Sequence, residues 1–469
     1  MTLKLCPFVF RTLAVLAFIG HTAIYGSSLS ALAQAGDTPA PAENAHAVAY
    51  PLMVSANRRY LVDQNGIPFL IAGDSPQALV GNVSLQDAEA YIKNRAGYGV
   101  NALWINIICN QGTACDPSGA TYDGIVPFTI PGDLSTPNPE YFARADKMIA
   151  LAAEAGIVVF LDPVETAGWL PVLRSNGKAK ARAYGKFLGN RYKDSPNLVW
   201  LHGNDFQSWR TASDDALVRV VGEGIRSVDN VHMATVELDF PSSGSLDDPT
   251  WTALIDLDAA YTYLPAYAQV LTEYNRPNHM PIFLIETHYE FEKHGGTDGI
   301  HISNLRRQAY WTMLSGATGQ FYGSAFTWRF PSGWQTELDT QGIREFSYMS
   351  HLFAHRKWYD LVPDQDHQVL TAGYGKFSKK RHLERNQYVT AARTLDGRLF
   401  VAYIPGGGKI AVDVTKLADN MTARWYDPTS GTYRAASAEP LVNNKTDEFR
   451  PPGANSAGDS DWVLVLEST

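Results

Sequence analysis

Apolar positions along the chain gather into short unbroken runs, each closed by a polar tip. The two most informative are residues 198–201 within NLVWLHGNDF and residues 282–285 within PIFLIETHYE. Runs of Leu, Val, Ile, Phe and Trp without alternation read as strands buried on both faces, as in a parallel sheet. The first gives way at His202-Gly203 to Asn204-Asp205, and the second runs directly into Glu286. The same pattern predicts strands over 69–72, 102–108, 157–161, 232–237, 259–264 and 319–323.

Amphipathic stretches fill the gaps. One helix is predicted from Ser84, where Ser84-Leu85-Gln86-Asp87 offers a cap with an acid three residues on, to about residue 96. Asn138-Pro139 opens another, in which Phe142, Ala145, Met148, Ile149 and Ala152 share a face. Others are predicted over 179–192, 214–228 and 305–315. Eight strands alternating with helices give an α/β chain whose leading architecture is a closed (β/α)8 TIM barrel over residues 51–358. A doubly wound open sheet is the runner-up, but no Gly-rich phosphate loop follows its first strand. The loop 109–137, rich in Gly, Pro, Asp and Thr, is long enough to expect a functional role.

Past Trp358 the texture changes to short strands over 368–370, 388–392, 399–404, 410–414, 423–426 and 462–466, joined by turns such as Asp396-Gly397. That pattern predicts a small C-terminal antiparallel β-sandwich over 359–469. Gly406-Gly407-Gly408-Lys409 lacks the spacing of a P-loop and reads as a hairpin turn. At the other end, Lys4 and Arg11 precede the apolar residues 12–19 and the small-x-small site Ala31-Leu32-Ala33. Residues 1–33 therefore read as a signal peptide, residues 34–50 as a disordered leader, and the mature protein as exported, periplasmic or extracellular. The apolar run is too short to span a bilayer, so no membrane span is expected in the mature form.

Composition narrows the function. The 469 residues carry a net charge of −9 and no basic run beyond Lys379-Lys380-Arg381, so nucleic acid is not an expected partner. Eleven Trp and 23 Tyr leave rings over for a carbohydrate cleft after a core is filled. Of three cysteines, Cys6 leaves with the signal, and Cys109 and Cys115 are spaced for a loop-closing disulfide in an oxidising compartment. The 12 His show no metal spacing and no HExxH, so neither a metal nor another cofactor is expected.

Barrel enzymes place their chemistry at the carboxyl ends of strands. Asp205 and Glu286 stand out there, because a charge directly after a buried run is costly without purpose. Glycoside hydrolysis needs one acid to protonate the leaving oxygen and a second carboxylate at the oxocarbenium-like carbon. Asp205 is read as the acid/base and Glu286 as the nucleophile, with Asn204 offering its amide to a ring hydroxyl. Asp74, Asn106 and Asp162 are candidates to hold sugar hydroxyls. Trp104, Tyr263, Trp328 and Trp334 could stack on a sugar face or pack in the core. His202 and His288 flank the pair and could tune its protonation or be ordinary core histidines.

The segments SANRRYLVDQNGIPFLIAGDSP, NPEYFARADKMIALAAEAGI, NLVWLHGND and PIFLIETHYE resemble the apiosidase-like glycoside hydrolases, relatives of glycoside hydrolase family 140. The region past Trp358 resembles the collagen-binding-type β domain often attached to them. The resemblance implies a (β/α)8 barrel and retaining hydrolysis, with the acid on strand four and the nucleophile on strand seven, where Asp205 and Glu286 fall. It implies an oligo- or polysaccharide substrate, with apiose on pectic side chains as the first sugar or another furanoside in its place. The chain departs from the family at Asn204, where Gly more often precedes the Asp. Two other classes stay open at this point: a non-catalytic carbohydrate-binding protein on the same scaffold, and an adhesin acting through the sandwich.

Overall fold

The computed structural model describes residues 47–293 and 300–468. The expected signal peptide and most of the leader lie outside them. The barrel strands are β1 Ile71–Asp74, β2 Ala102–Asn106, β3 Val158–Asp162, β4 Leu198–His202, β5 Ala234–Val236, β6 Asp258–Thr262, β7 Ile282–Glu286 and β8 Gly319–Tyr322. Around them run α1 Leu85–Gly97, α2 Pro139–Glu154, α3 Thr166–Tyr192, α4 Ala212–Arg226, α5 Ala266–Tyr274, α6 Ile302–Met313 and α7 Gln341–Ala354. Ser84 caps α1 by accepting the Asp87 amide at 3.0 Å, as its sequence predicts. Helix α3 is longer than expected. It breaks at Gly177, where φ is 70°, and the predicted segment is its second half.

The eight strands pair in parallel in the order β5-β4-β3-β2-β1-β8-β7-β6. The ring is completed differently between β5 and β6. Ser245, on a short turn between them, accepts the Ala259 amide at 2.8 Å and donates to the Val236 carbonyl at 2.5 Å. A side chain thus takes the place of a ladder and meets the backbone groups it would have left unpaired. A two-residue strand, Ser242–Ser243, adds antiparallel to β6 at this seam.

The barrel interior is filled by Ile71, Trp104, Val158, Phe160, Val199, Leu201, Phe283, Ile285 and Phe321, all at most 3% exposed. Alternate residues of the same strands face the helices. This parity decides which acids reach the mouth.

The C-terminal module pairs two antiparallel sheets. The larger joins Leu361–Pro363, Thr390–Thr394, Leu399–Ile404, Trp462–Ser468, Met421–Tyr426 and Tyr433–Ala435; the smaller joins Leu370–Ala372, Ile410–Asp413 and Thr446–Phe449. One face of the larger sheet closes the module's own core, and the other, with Val401, Tyr403, Val463 and Val465, merges with the barrel's outer core. There Tyr403 stacks on Tyr310 of α6 at 4.9 Å, and Arg306 of α6 makes paired contacts to Asp461 at 2.9 Å. No helix among the described residues is long and apolar enough to cross a membrane.

Candidate active site

Two departures from regular strand geometry bring the acids together. By the pleat of β7, Phe283 and Ile285 point inward and the next residue would point outward. The register slips by one residue between the pairs Ala260/Leu284 and Tyr261/Glu286, a bulge that turns Glu286 into the mouth. At the end of β4, Gly203, Asn204 and Asp205 have φ of 107°, 65° and 48°. Asn and Asp tolerate this left-handed region best among residues with a side chain. A Cβ on Gly203 would lie 2.0 Å from the Glu237 carbonyl, so the first position needs glycine. Thr166 holds the turn, its amide on the Gly203 carbonyl at 3.0 Å and its hydroxyl on the Asn204 carbonyl at 2.7 Å.

The Tyr261 hydroxyl stands 2.9 Å from Asp205 Oδ1 and 3.0 Å from Glu286 Oε1. Laid end to end, these contacts limit the two carboxylate oxygens to a separation of 5.9 Å. Glu286 also accepts from Tyr263 at 2.8 Å and from Tyr289 at 3.0 Å. A phenol has one proton, so Tyr261 donates to one carboxylate at a time. Among the described residues, neither acid forms an ion pair with an arginine or lysine.

Burial, with the charge of Asp205 beside it, pushes Glu286 up to about 8. Burial raises Asp205 as well. Both shifts mark a pair that holds one proton at neutral pH. Three phenols aim at Glu286 and one at Asp205. The charge is therefore best supported on Glu286, and the proton belongs on Asp205.

These residues line a cavity of about 400 Å³ with Gln77, Glu165, Asn204, Trp328, Lys293 and Arg329. Behind it runs a relay of amides. The Asn204 amide donates to Asn106 at 3.3 Å and to Gln77 at 3.2 Å, and Gln77 donates to the Tyr289 hydroxyl at 3.0 Å. Asn106 also takes the indole N–H of Trp104 at 3.1 Å. The chain of donors ends on Glu286 and fixes Tyr289 as a donor to it.

Of the residues expected from sequence, Asn204, Tyr263 and Trp328 line this cavity with Asp205 and Glu286. Asn106, Trp104 and Asp162, each fully buried, lie beneath it, so Trp104 offers no face for a sugar. Asp162 caps the Val164 amide at 3.0 Å, and burial holds its carboxyl well above the usual range. His288 packs against Tyr263 with ring centres 4.8 Å apart and lines an adjoining cavity. Trp334 is buried against Tyr91 and Phe330.

Two further expectations are corrected. Asp74 follows the pleat of β1 outward, is fully buried, and pairs with Arg95 while accepting from Tyr91 at 2.6 Å. His202 also points outward, against Trp251 with ring centres 5.3 Å apart, and burial pulls it down to about 3. Neither lines the cavity.

Sequence reasoning missed three groups, Tyr261, Tyr289 and Glu165, and counted Glu237 among the strand tips without giving it a role. Tyr261 and Tyr289 are the donors just described; the alternation of Tyr261 with Tyr263 on one strand was the signal for the first. Glu237, fully buried, accepts the Asp205 amide at 3.3 Å. Glu165 accepts from the Asn110 amide at 2.8 Å and the Thr113 hydroxyl at 2.9 Å, and burial raises it to about 7. Both partners sit in the loop closed by the Cys109–Cys115 disulfide, whose Cα atoms are 5.8 Å apart. A Cβ on Gly112 of that loop would stand 2.0 Å from Glu165 Oε1.

Residues 55–360 match the family described as the apiosidase-like catalytic domain, and residues 377–467 match one described as "Putative collagen-binding domain of a collagenase". No curated protein sequence matches the chain significantly. A solved structure titled "Glycoside hydrolase" superposes with a TM-score of 0.77 at 22% identity, over 90% of this chain and 97% of the other. A glycoside hydrolase family 5 structure from Bacteroides vulgatus gives 0.76 at 20% identity, over 89% and 93%. With two thirds of its length matched by the catalytic-domain family and its overall architecture shared with these structures, the chain belongs to the apiosidase-like glycoside hydrolases.

Proposed function

We propose that this glycoside hydrolase is exported and cleaves a glycosidic bond of a plant or microbial polysaccharide with retention of configuration. The observation that carries the reading is the Tyr261 hydroxyl, within 3.0 Å of one oxygen from each carboxylate. One phenol reaching an oxygen of each acid brings these two oxygens within 5.9 Å, a closeness that supports retention, in which the carboxyl groups stand about 5 to 5.5 Å apart. Asp205 gives its proton to the leaving oxygen while Glu286 attacks the anomeric carbon and forms a glycosyl ester. Asp205, now ionised, takes a proton from water as that water displaces Glu286. The neutral phenols keep Glu286 oriented during the first step and stabilise it as the leaving carboxylate of the second.

The name of the matching family makes apiose the first sugar to test, with other furanosides next. Export is supported by the signal pattern of residues 1–33 and by the Cys109–Cys115 bridge, which suits an oxidising compartment. Incubation with pectin, arabinan and galactan fractions, followed by proton NMR of the first product formed, tests the reading. A released sugar of the same anomeric configuration as the substrate is expected. Its mirror at the anomeric centre, or no release from any fraction, would overturn it.

A further inference from the structure

The catalytic cavity has a neighbour of about 370 Å³ on the far side of Tyr263 and Glu292, which line both. Its outer wall comes from the other domain, as Lys380, Arg381 and His382 of the C-terminal module. We propose that this wall is an anion-binding subsite, through which the module holds a carboxylate or sulfate of the glycan whose terminal sugar occupies the catalytic cavity. The proposal rests on the glycosidase reading of Asp205 and Glu286 and extends it to the unit beyond the scissile bond.

The first support is charge. The chain is acidic overall at −9, yet residues 376–385 carry Lys376, Lys379, Lys380, Arg381 and Arg385 against the single acid Glu384. Several basic side chains elsewhere are paired with carboxylates, as in Arg174 with Asp214 and Arg191 with Asp146. Among the described residues Lys380 and Arg381 have no such partner. Of the acids on this cavity, Glu292 is turned toward its own loop, accepting the Tyr289 amide at 3.0 Å and standing 3.5 Å from His288 Nδ1. Glu384 is exposed at the rim.

The second support is that the wall is built. The Tyr267 hydroxyl of α5 donates to the Ser378 carbonyl at 2.7 Å and receives the Ser378 amide and the Asn386 side chain, each at 3.0 Å. Leu383 is buried in the barrel's outer core, and its carbonyl takes the Arg307 guanidinium of α6. The basic segment is therefore stapled to two barrel helices on either side of Lys380 and Arg381. A backbone held this way loses less freedom when its side chains bind an anion.

The two cavities also sort charge. The catalytic cavity sets the acids Glu165, Asp205, Glu286 and Glu292 against Lys293 and Arg329, whereas the outer wall of its neighbour carries Lys380 and Arg381 with Glu384 at the rim. A glycan with a neutral terminal sugar and an anionic neighbour fits both at once.

The test uses the full chain carrying Glu286→Gln, alone and with Lys380→Ala and Arg381→Ala added. Binding is measured by calorimetry to oligogalacturonates, to sulfated carrageenan oligosaccharides and to neutral galactan oligosaccharides. At least one anionic series is expected to bind more tightly than the neutral one. That affinity should fall several-fold between about 50 and about 300 mM salt and about tenfold on adding the alanine pair, with the melting temperature unchanged. Preference for galacturonates assigns the anion as a uronate carboxylate, and preference for carrageenan assigns it as a sulfate ester. Equal binding of neutral and anionic series, or affinity indifferent to the alanine pair, would overturn the proposal. Sugar release by the unaltered chain is scored separately. Its absence would remove the glycosidase reading whatever the binding shows.

Discussion

Asp74 and Glu286 end two strands of one barrel with the same local signature, an acid after an apolar run, and meet opposite fates. Asp74 keeps the pleat of β1, faces the helices and is neutralised by Arg95 with both side chains fully buried. Glu286 would also face the helices, but the bulge in β7 turns it inward, where it meets three tyrosine hydroxyls. A carboxylate matched by a cation is held in one charge state. One matched by phenols keeps a perturbed affinity for protons and a free oxygen for chemistry. One residue of register separates a structural acid from the proposed nucleophile.

The comparison breaks most sharply at Glu286. Glu286→Gln is expected to lower kcat/KM by about 10⁴-fold or more, equivalent to about 5 kcal/mol of barrier, while the melting temperature holds or rises. Both readouts come from one preparation assayed on the released sugar and by calorimetry. Asp74→Asn should do the reverse. Leaving Arg95 buried without its partner costs about 3–5 kcal/mol of folding stability, measurable by denaturant titration, with activity per folded molecule nearly unchanged.

Proton affinity sharpens the contrast further. Burial raises Glu165 from 4.5 to about 7, and the Asp205–Glu286 pair, in which burial and the Asp205 charge push Glu286 up to about 8, keeps one shared proton through neutral pH. Folded chains then keep protons that unfolded chains have released, so these groups favour the fold below about pH 4.5 and lose that effect as pH climbs to about 8. Melting temperature should decline across that window, and Glu165→Gln should flatten the decline over its lower part. The smallest effect is expected at the bridge. Tyr261→Phe removes one of three donors to Glu286 and should cost about 10- to 100-fold in kcat/KM, with the acidic limb of the pH–rate profile moved upward because the carboxylate is less well supported.

The barrel was legible because parallel strands buried on both faces leave unbroken apolar runs, and Asp205 and Glu286 were legible because each follows one. Direction was not. Asp74 and His202 follow runs just as apolar, and only the pleat, countable once a strand's start is fixed, sends them outward. The bulge before Glu286 and the three left-handed residues at 203–205 have no signal in composition, although Gly203 and the Asn-Asp pair are the residues such a turn selects. Glu165 stayed hidden for another reason. Its partners Asn110 and Thr113 lie more than 50 residues away in a loop, and loop placement depends on tertiary packing that hydrophobic periodicity does not record.

The core shared by barrel and module has a consequence for how the protein can be divided. Arg306 sits in α6 with Asp461 and Glu345 around its guanidinium, and the face of Tyr310 is covered by Tyr403. Cutting the chain after the barrel would take Asp461 from a buried cation and bare an aromatic surface, so the two halves are expected to melt, and to need engineering, as a single piece.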